Sequence, residues 1–310
     1  MNNFLTNNIS LLSYFICWFF LLQTDLSAKE PAYAGPIIDT HIHASPEVSK
    51  TMLTAKSQIL AQMDQQNVVM SVVSIPEVEQ LNDWQTTKKY KLLVGPSFPC
   101  TDGKYPRMNP CFEATNGWPD LDWLEDEIKK GRVSVFGELL YVYYGISPSD
   151  EKLMPYYRLA EKYAIPIAVH AAHGPPKRAR IEGCCPNFNA AMGDPLLLKP
   201  VLNKFPNLKI WLLHGGEIDF HQQAIKLMQQ FPQVYAEMSI VNSVMPQALH
   251  QKMLEGFLNA GLEDRIMFGT DNMPIDGILA RMDELNILTA KQRKKILYDN
   301  AARFFALSEH

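Results

Sequence analysis

Residues 37–43 read Ile37-Ile38-Asp39-Thr40-His41-Ile42-His43. Two apolar residues enter a strand, and two histidines follow at i and i+2. Alternate side chains of an extended chain point to one face. His41 and His43 therefore leave the end of one short strand side by side, a spacing suited to two ligands of one metal ion. Asp39 shares their parity and is placed to orient them from behind.

Outward from this stretch, short apolar runs alternate with amphipathic segments. The expected strands are Pro36–Ile42, Asn67–Ile75, Lys91–Pro96, Val133–Leu139, Ile165–Val169, Leu208–Leu213, Gln233–Met238 and Arg265–Gly269. They are rich in Val, Ile and Leu and mostly do not alternate with polar residues, as strands buried on both faces read. The expected helices between them are Val48–Gln66, Leu121–Lys130, Pro148–Tyr163, Pro195–Lys204, His221–Phe231 and Pro246–Ala260. The tail, Ile275–Leu307, reads as two helices, the second opening at Thr289. Eight strands alternating with helices argue for an α/β fold, a (β/α)8 TIM barrel with C-terminal helices.

The chain has 310 residues, 47% hydrophobic and 20% charged, with a net charge of −4. These values suit one globular domain of barrel size over residues 29–310 and leave no basic footprint for nucleic acid. Residues 1–28 differ. Ile9 to Leu22 is an apolar run broken by Ser10 and Ser13, followed by Gln23-Thr24-Asp25 and then Leu26-Ser27-Ala28. This run has the length of a signal-peptide core and is short for a membrane span, although no Lys or Arg precedes it. Residues 1–28 are thus expected to be an export signal, the mature protein to be periplasmic or secreted, and no stable membrane insertion to remain after cleavage. Cys100, Cys111, Cys184 and Cys185 then remain. A bridge between Cys100 and Cys111 would close the Thr101–Pro110 loop; one between the adjacent Cys184 and Cys185 would be strained.

Active sites of this fold lie at the C-terminal strand ends. The chain has 8 histidines, and His41, His43, His170, His173 and His214 all fall there. Glu138 ends the fourth expected strand, Glu237 the seventh, and Gly269-Thr270-Asp271 the eighth. Glu237 reads as a solvated or hydrogen-bonded acid rather than a catalytic one.

The chain at this point resembles the amidohydrolase superfamily, in the amidohydrolase-related branch that includes aminocarboxymuconate-semialdehyde decarboxylase-like lyases. The resemblance rests on His41-Ile42-His43, on His170 and His214 after strands five and six, on His214-Gly215-Gly216, on Gly269-Thr270-Asp271, and on the closing segment Tyr298–Phe304. It implies that His41, His43, His170 and Asp271 bind a divalent metal, with Glu138 near it. One ion is expected. A pair bridged by Glu138, with His170 and His214 on the second ion, is the alternative. Imidazole and carboxylate suit Zn²⁺, with Mn²⁺ or Fe²⁺ open. Such a metal lowers the pKa of bound water toward neutrality. Asp271 would take the water's proton, and His214 would polarise a carbonyl or shuttle a proton.

The implied activity is metal-dependent hydrolysis of a C–O or C–N bond, in an ester, lactone or amide. The alternatives are a decarboxylase of the same branch and, in another class, a non-catalytic secreted binding protein. Expected substrate contacts are His173, Tyr141 (with Tyr143 and Tyr144 beside it) and Arg178, which with Lys177 and Arg180 forms a basic cluster suited to an anionic small molecule. A homodimer is left open.

Overall fold

The computed structural model describes residues 33–44, 55–85, 87, 89–101, 112, 117–174 and 184–307. Residues 1–28 and Arg178 lie outside that range.

Strands β1 (Ile37–His43), β2 (Val68–Ile75) and β3 (Lys91–Pro96) pair in parallel, as do β4 (Phe136–Leu139), β5 (Ile167–His170), β6 (Ile210–Leu213), β7 (Val234–Glu237) and β8 (Ile266–Met267). Two seams close the groups into a ring. At β3–β4, Ser134 N–H donates to the Val94 carbonyl at 3.0 Å and Leu140 N–H to that of Phe98 at 2.8 Å. At β8–β1, Thr40 N–H donates to the Phe268 carbonyl at 2.9 Å and Asp271 N–H to that of His41 at 2.8 Å. The result is the expected (β/α)8 barrel.

Around it lie α1 (Lys56–Gln65), α2 (Val78–Gln85), α3 (Leu121–Lys129), α4 (Met154–Tyr163), α5 (Lys199–Lys204), α6 (Glu217–Gln230), α7 (Gln247–Asn259) and α8 (Ile275–Glu284). The sequence reading missed α2. It is one short amphipathic turn pair whose apolar anchors are Leu81 and Trp84, too few to stand out as a period. α4 starts later than Pro148 because Pro155 occupies its first turn, where a missing N–H costs nothing. α6 starts earlier than His221 because the His214–Gly216 turn leads straight into it. Thr289 does open the closing run: it accepts from Gln292 N–H at 3.2 Å, the reciprocal cap that fixes a helix start.

Ile38, Met70, Val72, Val135, Ala168, Trp211, Leu213 and Met267 fill the barrel interior together with Ala301 and Phe304 of α10 (Asn300–Phe304), which follows α9 (Ala290–Lys294) through a π turn. α10 closes the end from which the strands start. Lys209 Nζ, just before β6, donates to the Phe304 carbonyl at 3.0 Å, and Asn300 Nδ2 donates to that of Ile266 at 2.7 Å. The opposite end is left to polar chemistry. Among the described residues no helix is long and apolar enough to cross a membrane.

Candidate metal centre

β1 is irregular, with register shifts against β2 between Ile37 and Ile38 and between Asp39 and Ile42. The irregularity separates Asp39 from the two imidazoles it was expected to orient. Its carboxylate accepts instead from Thr270 Oγ1 at 2.7 Å, Thr270 N–H at 3.1 Å and His41 N–H at 3.2 Å. Asp39 thus ties the ends of β1 and β8 together through backbone. Asn272 completes the tie: its Oδ1 accepts from His43 N–H at 2.6 Å and its Nδ2 donates to the His43 carbonyl at 2.8 Å. Asp271 and Asn272 hold left-handed backbones at φ of 50° and 61°, as do His214 at 62° and Ile240 at 65°. Strain of this kind collects where surrounding bonds fix a functional geometry.

His41 Nε2 and His43 Nε2 stand 3.1 Å apart. Asp271 Oδ1 lies 3.7 Å from the first and 3.5 Å from the second. Glu138 Oε2 lies 3.1 Å from His43 Nε2 and 4.0 Å from His41 Nε2. Ligands on bonds of about 2.0–2.2 Å around one ion stand roughly this far from one another. The other oxygen of Glu138 faces His170 Nδ1 at 2.5 Å and His214 Nε2 at 3.8 Å. His170 therefore reaches the cluster through Glu138. Glu138 can take this place because β4 runs close to β3: a Cβ on Gly137 would stand 2.8 Å from the Gly95 carbonyl oxygen and 2.7 Å from Ser74 Oγ.

The cluster is buried and rich in carboxylates. Burial alone would raise the Glu138 carboxyl, but the charge of His170 and hydrogen bonds from His170, His214 and His43 outweigh it and hold it well below the usual range. Burial likewise works against charge on His214, yet its hydrogen bond to Glu138 and the charges of Glu237 and Asp271 raise it to about 10. His41 is also raised, against burial, chiefly by Asp271 and Glu237. Positive charge on these imidazoles balances the buried acids. A divalent cation held among the same atoms would supply that balance, with the imidazoles neutral. By donor chemistry and spacing, the residues fit such an ion.

A family model described as amidohydrolase matches residues 102–307. The chain belongs to the amidohydrolase family. No curated protein matches the sequence. Solved structures match its fold. One is 5-carboxyvanillate decarboxylase from Sphingomonas paucimobilis, with 12% identity and a TM-score of 0.61 over 88% of this chain and 99% of that one. Another is described as a probable 2-pyrone-4,6-dicarboxylic acid hydrolase from Acinetobacter baumannii, with 15% identity and a TM-score of 0.60 over 88% and 100%. A third is a dihydroxybenzoic acid decarboxylase from a Polaromonas species with bound manganese and 2-nitroresorcinol, with 16% identity and a TM-score of 0.60 over 89% and 98%. At these identities the likeness is one of fold.

The fold brings His41, His43, Glu138, His214 and Asp271 together, places His170, expected as a ligand beside His41 and His43, behind Glu138 instead, and leaves two predicted substrate contacts elsewhere. Tyr141 is 1% exposed, packs in the core and meets the His170 carbonyl through its hydroxyl at 3.4 Å. The tight turn Tyr141–Tyr144 sends Tyr143 to the cluster instead, with its hydroxyl 3.4 Å from His170 Nε2. His173 is half-exposed and pairs with Asp219 at 3.0 Å, on the rim. Cys184 and Cys185 are joined to each other despite their adjacency. Cys100 is also disulfide-bonded, while Cys111 lies outside the described residues.

Glu237 is fully buried and bonded. It accepts from His41 Nδ1 at 3.1 Å and from His214 N–H at 3.0 Å. Glu237 is thus the hydrogen-bonded acid the sequence allowed, with its contact to the cluster unforeseen, and Ser239 is the residue that sequence reasoning missed. The only signal was their place at the end of a barrel strand.

Proposed function

We propose that this member of the amidohydrolase family is a metal-dependent hydrolase that cleaves a C–O or C–N bond of a small molecule such as an ester, lactone or amide. One observation carries the reading: Asp271 and His214, from the ends of β8 and β6, both border the donor set of His41, His43 and Glu138. Asp271 Oδ1 stands 3.5 Å from His43 Nε2, and His214 Nε2 stands 3.8 Å from Glu138 Oε1. Hydrolysis needs a group that takes a proton from water and a group that gives one to the leaving atom.

A divalent cation, Zn²⁺ in our reading with Mn²⁺ or Fe²⁺ suiting the same donors, acidifies water and polarises a carbonyl when bound. His41, His43, Glu138 and Asp271 would hold it, with His170 fixed behind Glu138. Asp271, whose side chain is 15% exposed, takes the water's proton. His214, held from β7, takes up a proton at Nε2 and passes it to the leaving atom. One ion is our reading. Glu138 Oε1, facing His170 and His214, is where a second would be held.

A decarboxylase is the second reading, favoured by the fold's likeness to decarboxylases. The same pocket would then hold a substrate carboxylate. A panel of lactones, esters and amides set against aromatic and unsaturated carboxylic acids decides between them. Hydrolysis supports the proposal, and CO₂ release with no hydrolysis overturns it. We also propose export to the periplasm or medium; a mature N-terminus that retains residues 1–28 would contradict this.

A further inference from the structure

Ser239 is fully buried just past the end of β7. Its hydroxyl stands 2.7 Å from Glu237 Oε1, 2.9 Å from His214 Nδ1 and 3.1 Å from His41 Nδ1. These four groups make a small problem in proton accounting. Glu237 receives backbone N–H donors on both oxygens, from His214 at 3.0 Å on Oε1 and from Ser239 on Oε2. It therefore behaves as an acceptor. A serine hydroxyl has one proton and two lone pairs. Its shortest contact assigns the proton to Glu237.

Only lone pairs then remain for the imidazoles, so His41 Nδ1 and His214 Nδ1 must both be N–H donors. His41 shares its proton between Ser239 Oγ and Glu237 Oε1, which is also 3.1 Å away. In a neutral imidazole with the proton on Nδ1, Nε2 keeps its lone pair. Both Nε2 atoms face Glu138, at 4.0 Å for His41 and 3.8 Å for His214. Space for this arrangement comes from Gly269, where a Cβ would stand 2.5 Å from Glu237 Oε2.

We propose that Ser239 is a positioning residue that, together with Glu237, fixes the tautomers of His41 and His214 at once. One hydroxyl thereby sets both a metal ligand and the proton-carrying histidine. The role in turnover rests on the hydrolase reading above; the tautomers do not.

The test uses the full chain loaded with zinc and labelled with ¹⁵N at histidine, read by long-range ¹H–¹⁵N correlation NMR. Wild type should show Nδ1–H and no Nε2–H at both His41 and His214. Nε2–H at either in wild type would overturn the proposal, whatever the enzyme's activity. In Ser239→Ala, His214 Nδ1 keeps only the Ser239 carbonyl at 3.4 Å, so an Nε2–H population should appear there while Glu237 still holds His41. Zinc content should be unchanged and KM little altered, with kcat lower by about tenfold to hundredfold. Ser239→Thr, which restores the hydroxyl, should recover the wild-type tautomers and most of kcat. A Ser239→Ala protein with wild-type tautomers and kcat would overturn the proposal. Zinc-loaded wild type that hydrolyses nothing on the panel would count against the hydrolase reading alone, because the NMR result stands without turnover.

Discussion

His43 Nε2 lies 3.1 Å from one oxygen of Glu138, while the other oxygen of the same carboxylate meets His170 Nδ1. Glu138 is therefore the shared wall between the β1 side of the cluster and the β5–β6 side. The one-ion reading expects Glu138→Gln to keep about one equivalent of metal per chain while losing most activity. Elemental analysis checks it. A fall from two equivalents to one would establish a bridged pair of ions instead.

Asp271 is held by backbone, while its proposed role belongs to the side chain. Its N–H donates to the His41 carbonyl at 2.8 Å, a bond that Asp271→Asn leaves intact. The variant should melt close to wild type and lose turnover by a factor of about 10²–10⁴, the usual worth of a positioned acid–base group. Circular dichroism and initial rates on any accepted substrate measure the two effects.

Gly269 is the point where β8 makes room for Glu237. A methyl group there would displace a fully buried carboxylate that is hydrogen-bonded to two strand ends. Gly269→Ala should destabilise the fold by about 1–3 kcal/mol, as overpacking does, and lower metal affinity because His41 loses its partner. Denaturant titration and metal titration of the same sample report both.

His250, buried in α7, is held neutral. Burial, helped by the charge of Arg281, lowers its pKa from 6.5 to about 4. The unfolded chain takes up this proton first as pH falls, so the contribution is complete above 6.5 and is lost between 6.5 and about 4. Over that window the loss is about 3 kcal/mol, from roughly 1.36 kcal/mol for each tenfold change. His250→Gln should flatten the acid side of the stability profile by this amount, and chemical denaturation at pH 7 and pH 4 measures it.

Much of this molecule can be read from its residues, for identifiable reasons. Most strands are visible because they are buried on both faces and read as short apolar runs, as Ile210–Leu213 does between two other strands. His41, His43, His170, His214 and Asp271 are visible because the fold puts strand ends at one rim. The irregularity of β1, however, gives no sequence signal, so Asp39 looked like a partner of the imidazoles when it binds Thr270. Tyr141 and Tyr143 are equal in the sequence, and only the pitch of the turn after β4 decides which one reaches the His170 ring and which only its carbonyl. Glu237 and Ser239 depend on how closely β7 approaches β1 across the barrel end, a distance no local pattern encodes.

The most direct test of the central claim is the metal content of protein purified without chelators, measured for wild type and for His43→Ala with circular dichroism on both. Wild type should carry at least about one equivalent of a divalent transition metal, and a still-folded His43→Ala should lose it. A wild-type protein carrying well under half an equivalent, or a His43→Ala variant that keeps its metal, would contradict it.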